Sequence, residues 1–112
     1  MNFKFKVNEN TTLEEARKFL DTIQSANVKE IFLNDIRKLH KYLGVEELPL
    51  KGGSVIRFRH ELLVGNKNHL DGIFTIHIIH KGGDQQLLRM VDFKSYLYDP
   101  LKQIIELKST KK

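Results

Sequence analysis

The pattern of hydrophobic and polar positions is most strand-like between Gly72 and Gly83, in the run Gly-Ile-Phe-Thr-Ile-His-Ile-Ile-His-Lys-Gly-Gly. β-Branched and aromatic residues bounded by glycines predict a strand. Successive side chains on a strand point to opposite faces, so Phe74, Ile76, Ile78 and His80 share one side and Ile73, Thr75, His77 and Ile79 the other. The first set reads as a core face that ends in a histidine. The second places His77 in mid-strand on the face turned to solvent. A second alternating run, Ser54 to Leu63, predicts a neighbouring strand with Ile56, Phe58, His60 and Leu62 on one face. Val55, Arg57, Arg59, Glu61 and Leu63 occupy its other face. The polar stretch Gly65 to Asp71 reads as the hairpin loop between the two strands, and Val45 to Leu50 as a further short strand stopped at Pro49 and Lys51-Gly52-Gly53.

Helical periodicity appears on both sides of these strands. Leu13, Ala16, Leu20 and Ile23 lie on one face of a helix from about Thr12 to Gln24, and Thr11/Glu14 and Thr12/Glu15 both match a capping box. A second helix starts at Asn34 or Asp35, buries Ile36, Leu39 and Leu43, and stops at Gly44. His40 lies beside that stripe and reads as a helix-face histidine packed over the core. Phe3-Lys4-Phe5-Lys6-Val7 has the alternation of an edge strand. Lys81-Gly82-Gly83-Asp84 is a good hairpin turn leading into a strand over Leu87 to Leu97. Equally, Asp84 can cap a helix on which Leu87, Met90, Phe93 and Leu97 form a stripe; length and stripe favour the helix. Asp99-Pro100 predicts a last short helix, capped by the aspartate, with Leu101, Ile104 and Ile105 inward.

At 112 residues the chain suits one domain, residues 1–112, with one core. No apolar run reaches the roughly 18 to 20 residues of a membrane span. The N-terminus interleaves lysine with hydrophobes and does not read as a secretory signal. Cysteine is absent, which excludes disulfides and thiolate metal sites. These features predict a cytoplasmic protein with no membrane partner. The formal net charge of +5 changes the picture in one respect: it points to a polyanionic partner, nucleic acid or an acidic protein.

Chemistry then depends on His77 and His80. A spacing of three on a straight strand puts the two imidazoles on opposite faces, and no third ligand is evident, so the sequence predicts no metal and no cofactor. Ser54 and Ser95 lack the context of a nucleophile elbow. If Ile56 and Phe58 pack beside Phe74, Ile76 and Ile78, parity brings Arg57, Arg59 and His77 together on the opposite face. A histidine among arginines suits metal-independent RNA cleavage, in which the 2′-OH of the substrate attacks the adjacent phosphate. The competing reading leaves both histidines as strand-end residues satisfied by the backbone.

The order of these features resembles the HicA family of toxin mRNA interferases. The matching positions are Asn34-Asp35-Ile36 through Leu43-Gly44, Gly53-Ser54-Val55-Ile56-Arg57-Phe58, His77-Ile78-Ile79-His80, and Val91 through Tyr96-Leu97, within about residues 20–98. The chain departs from the family in carrying Val55 where many members have histidine, and Ile79 and Lys81 where prolines are frequent. The resemblance implies a fold like that of double-stranded-RNA-binding domains and a helix over the 86–97 segment. It also implies an RNA endonuclease, with a cognate antitoxin protein as partner. The expectation is therefore an α+β domain with a small three-stranded antiparallel sheet packed against helices, an extra N-terminal strand and helix, and a short C-terminal helix. Its expected site comprises His77 and His80 for catalysis and Arg57, Arg59 and Lys81 for RNA. The alternative is a non-catalytic module that binds RNA or a partner protein, antitoxin-like or immunity-like.

Overall fold

In the computed structural model, which describes residues 3–48, 54–66, 69–81 and 85–110, the first helix, α1, spans Leu13–Ser25. The Thr12 hydroxyl accepts the Glu15 N–H at 3.2 Å, satisfying one amide that the first turn leaves unpaired. The second helix, α2, spans Leu33–Leu43 and ends at Gly44, whose φ of 80° is the left-handed conformation that closes helices. Its cap differs from expectation. Phe32 holds the N-cap position, and the Asp35 carboxylate instead accepts the Phe3 N–H at 3.1 Å. That bond anchors the N-terminal segment, which is not a strand. Phe3 is buried, and Phe5 stacks on Phe19 at 4.7 Å and meets Tyr42 edge-on at 5.9 Å. Aromatic packing on the helices holds residues 3–7 without a ladder partner.

Two three-stranded antiparallel sheets replace the one expected. Strands β2 (Glu46–Glu47), β3 (Val55–Asn66) and β4 (His69–His77) form the first, in that order. The second has the order β1-β6-β5, from Glu30–Phe32, Gln85–Arg89 and Ile79–Lys81. The run from Gly72 to Lys81 is thus shared between sheets and breaks at Ile78. There the Ile78 N–H donates to the Ser54 carbonyl at 2.7 Å. One residue later Ile79 stands opposite Leu87 in the second sheet. Phe58, Phe74, Ile56, Ile76 and Ile78 are buried as parity requires.

The β3–β4 ladder holds one irregularity that parity could not foresee. Arg59 pairs with Ile73 and Val64 with Asp71, so the four residues His60 to Leu63 stand opposite Gly72 alone. This bulge shifts the pattern by an odd number of positions: Leu63, not Leu62, is fully buried, and Val64 faces out. Gly72 is required here. Its φ is +75°, and a Cβ would sit 2.5 Å from the His60 carbonyl oxygen.

Each reading of residues 86–97 accounts for one part of the segment. Residues 85–89 are strand β6, paired with β1 and β5, and helix begins only at Met90. The capping role expected of Asp84 lies outside the described residues. From Met90 the helix is continuous: α3 (Met90–Asp92), a π-helical turn (Phe93–Leu97) and α4 (Tyr98–Thr110). Asp99-Pro100 therefore lies inside a helix and does not start one. A proline there has no N–H for the Tyr96 carbonyl and crowds it. The wide turn immediately before it, with the Tyr98 N–H bonded back to the Phe93 carbonyl, is where the helix accommodates that residue. Leu97, Leu101, Ile104 and Ile105 close the core as expected. Among the described residues no helix is long and apolar enough to cross a membrane.

Candidate functional site

The outer face of the β3–β4 hairpin carries the two arginines and the histidine expected there. Val55 stands opposite His77, Arg57 opposite Thr75, and Arg59 opposite Ile73. Arg57 and His77 are therefore diagonal cross-strand neighbours, a relation that separates backbones by about 7–8 Å and lies within reach of long side chains. His77 and Thr75 are exposed, and Arg57 and Arg59 are half-buried. Among the described residues none of Arg57, Arg59 and His77 has an ion-pair or side-chain hydrogen-bond partner.

The three do not share one cavity. Arg59 stands opposite Glu46 of β2 and lines a cleft of about 650 Å³ with Glu46, Glu61 and Lys108. His77 lines a second cleft, of about 490 Å³, between β4 and the C-terminal helix. Its other polar walls are Thr75, Ser95, Tyr96 and Asp99. Ser95 and Tyr96 sit in the π-turn, and Tyr96 is 53% exposed. Sequence reasoning missed this half of the site. Asp99 read as a helix cap and Tyr96 only as part of a family pattern, whereas Tyr96 lies in the π-turn and Asp99 in the first turn of α4.

His80 is not brought to His77. It lies on β5 in the other sheet, opposite Gln86, whose Oε1 accepts from Arg37 Nη1 at 3.0 Å. Arg37 also makes a two-pronged ion pair with Glu47, Nε to Oε1 and Nη2 to Oε2, each 3.0 Å. Lys81 ends β5, and its side chain falls outside the described residues.

Two further histidines serve the fold. His60 Nδ1 accepts the Leu62 N–H at 3.1 Å, which leaves the proton on Nε2 to donate to the Leu43 carbonyl at 2.8 Å. That pair of bonds holds the bulge against the end of α2. His40 is buried, edge-on to Phe58 at 4.5 Å, and neither ring nitrogen has a partner. Desolvation, with a smaller contribution from the Arg37 guanidinium, pushes its pKa down to about 3, so the ring is neutral. No three His, Asp or Glu side chains among the described residues are grouped to hold a metal ion. Comparison with protein-family models, curated proteins and solved structures found no match.

Proposed function

We propose that this protein is a HicA-like, metal-independent RNA endonuclease in which His77 moves the proton and Arg57 holds phosphate, with Arg59 at the margin of the contact surface. One observation carries this reading: an exposed histidine in an open cleft, diagonal to an arginine on the next strand that has no ion-pair partner among the described residues. RNA supplies its own nucleophile. His77 takes the 2′-OH proton, the 2′-oxygen bonds to phosphorus, and the 5′-oxygen leaves with a proton from solvent. The Arg57 guanidinium offsets the charge that develops on the phosphorane oxygens, the role a fixed cation fills best. The helix–strand–strand–strand–helix order from α2 through β2, β3 and β4 to the C-terminal helix supports a double-stranded-RNA-binding-domain-like core, with β1, β5 and β6 as additions. A cytoplasmic location and restraint by a cognate antitoxin belong to the same proposal.

The second reading is a non-catalytic module that binds RNA or an acidic partner protein. Arg57 and Arg59, without ion-pair partners among the described residues, would serve such a partner equally well without His77. The two separate on His77→Ala, assayed with purified protein in chelator. The endonuclease reading expects cleavage to fall at least about 100-fold while RNA affinity changes little, because a proton-transfer group acts chiefly on the transition state. Unchanged cleavage by His77→Ala would remove the assignment. A parent protein that binds RNA at low salt but neither cuts it nor arrests growth would establish the second reading.

A further inference from the structure

The cleft beside His77 is deeper in consequence than a proton-transfer site requires. Its far wall presents Tyr96 from the π-turn, 53% exposed, with Ser95 beside it and Asp99 one turn on. An exposed aromatic ring next to a cation-bearing sheet is the means by which single-stranded nucleic acid is held. Each base has a π-face, and one base stacked on an aromatic side chain contributes about 1–3 kcal/mol. The π-turn, just before Pro100, carries Ser95 and Tyr96 of this wall, and Asp99 follows in α4.

Asp99 gives the wall a hydrogen-bond acceptor. A carboxylate near a phosphate-binding surface repels the backbone, so it favours an RNA by accepting hydrogen bonds, and a pair of adjacent donors satisfies it best. It is acceptor-only and can receive two parallel N–H donors. Guanine alone presents two adjacent donors, N1–H and the N2 amino group, on its Watson–Crick edge. Adenine and cytosine offer one amino group beside an acceptor, and uracil offers one N–H between two carbonyls. We infer that this cleft is a guanine subsite, with Tyr96 as the stacking platform and Asp99 as the acceptor that reads the base, placing the phosphate next to that guanosine before His77.

The inference rests on the endonuclease reading for its purpose, but it is tested without cleavage. Guanosine 5′-monophosphate and uridine 5′-monophosphate are titrated into the labelled protein, and backbone amide signals are followed. The guanine nucleotide is expected to shift Thr75, His77, Tyr96 and Asp99 at a concentration about tenfold below the uridine nucleotide, as for a good bidentate base contact. Tyr96→Ala should weaken that binding by about 5- to 150-fold and Tyr96→Phe should retain it. Asp99→Asn should bring the two nucleotides to within about twofold of each other. Equal responses to both nucleotides, or shifts centred elsewhere, would overturn the subsite. RNA cleaved indifferently to base, with no response of the cleft to guanosine monophosphate, removes the subsite and leaves the endonuclease. Selective nucleotide binding by a protein that cuts no RNA removes the endonuclease and leaves the subsite.

Discussion

His40 offers a test of the core that does not depend on any function. Its imidazole is 4% exposed, lies edge-on to Phe58 and Phe74, and has no partner on either nitrogen. Burial holds its pKa near 3, against about 6.5 in an unfolded chain. The folded pKa of a base is depressed here, so the unfolded state takes up the proton first. Stability is fully present above pH 6.5 and is lost as pH falls toward 3. Over the whole interval the loss approaches roughly 5 kcal/mol, and between pH 7 and pH 5 it is about 2 kcal/mol. The control is His40→Leu, close in volume and unable to titrate. At pH 7 it loses the aromatic edge contacts, about 1 kcal/mol, and relieves two unpartnered polar atoms, about 1–3 kcal/mol, so it should be neutral or slightly stabilising. Urea unfolding followed by far-ultraviolet circular dichroism measures the difference. The midpoint of the parent should fall by about 1–2 M more than that of His40→Leu between pH 7 and pH 5. Carboxylates titrate alike in both chains and cancel. Parallel pH profiles for parent and variant would refute the reasoning, because they would mean that the folded state admits the proton.

Other perturbations probe the remaining elements. Gly72→Ala forces a side chain into the left-handed region and against the His60 carbonyl; it should cost at least about 2 kcal/mol, read by the same unfolding assay. Arg37→Lys keeps the charge but loses the two-pronged contact to Glu47 and the bond to Gln86, which should cost about 1 kcal/mol at this half-exposed position. Arg57→Gln should weaken RNA binding for all sequences alike and lower the slope of log affinity against log salt by about one, whereas Arg59→Gln, with Glu46 opposite, should lower it less.

The sequence by itself determined those elements whose signals are local. The α1 cap at Thr12, the glycine end of α2 and the inward stripes of both helices follow from hydrogen bonds and periodicity within a few residues. So does the parity that puts Arg57, Arg59 and His77 on one face of β3 and β4, because strand side chains alternate regardless of what they pack against. Only the tertiary structure decided where that alternation stops. Ile78 follows the last β3–β4 pair and Ile79 pairs with Leu87 in the other sheet, so His80 leaves the site with it. The bulge opposite Gly72 flips Leu62 and Leu63 through a close approach of two strands, a constraint invisible along either one. A three-residue strand such as β1 is too short to display a period, and it exists because β6 pairs with it. Ser95, Tyr96 and Asp99 line one cleft with His77 for the same reason. Helix and strand meet there through packing between distant parts of the chain, and the proline that reads locally as a helix start is tolerated mid-helix because Pro100, Leu101 and Leu97 are buried in the core.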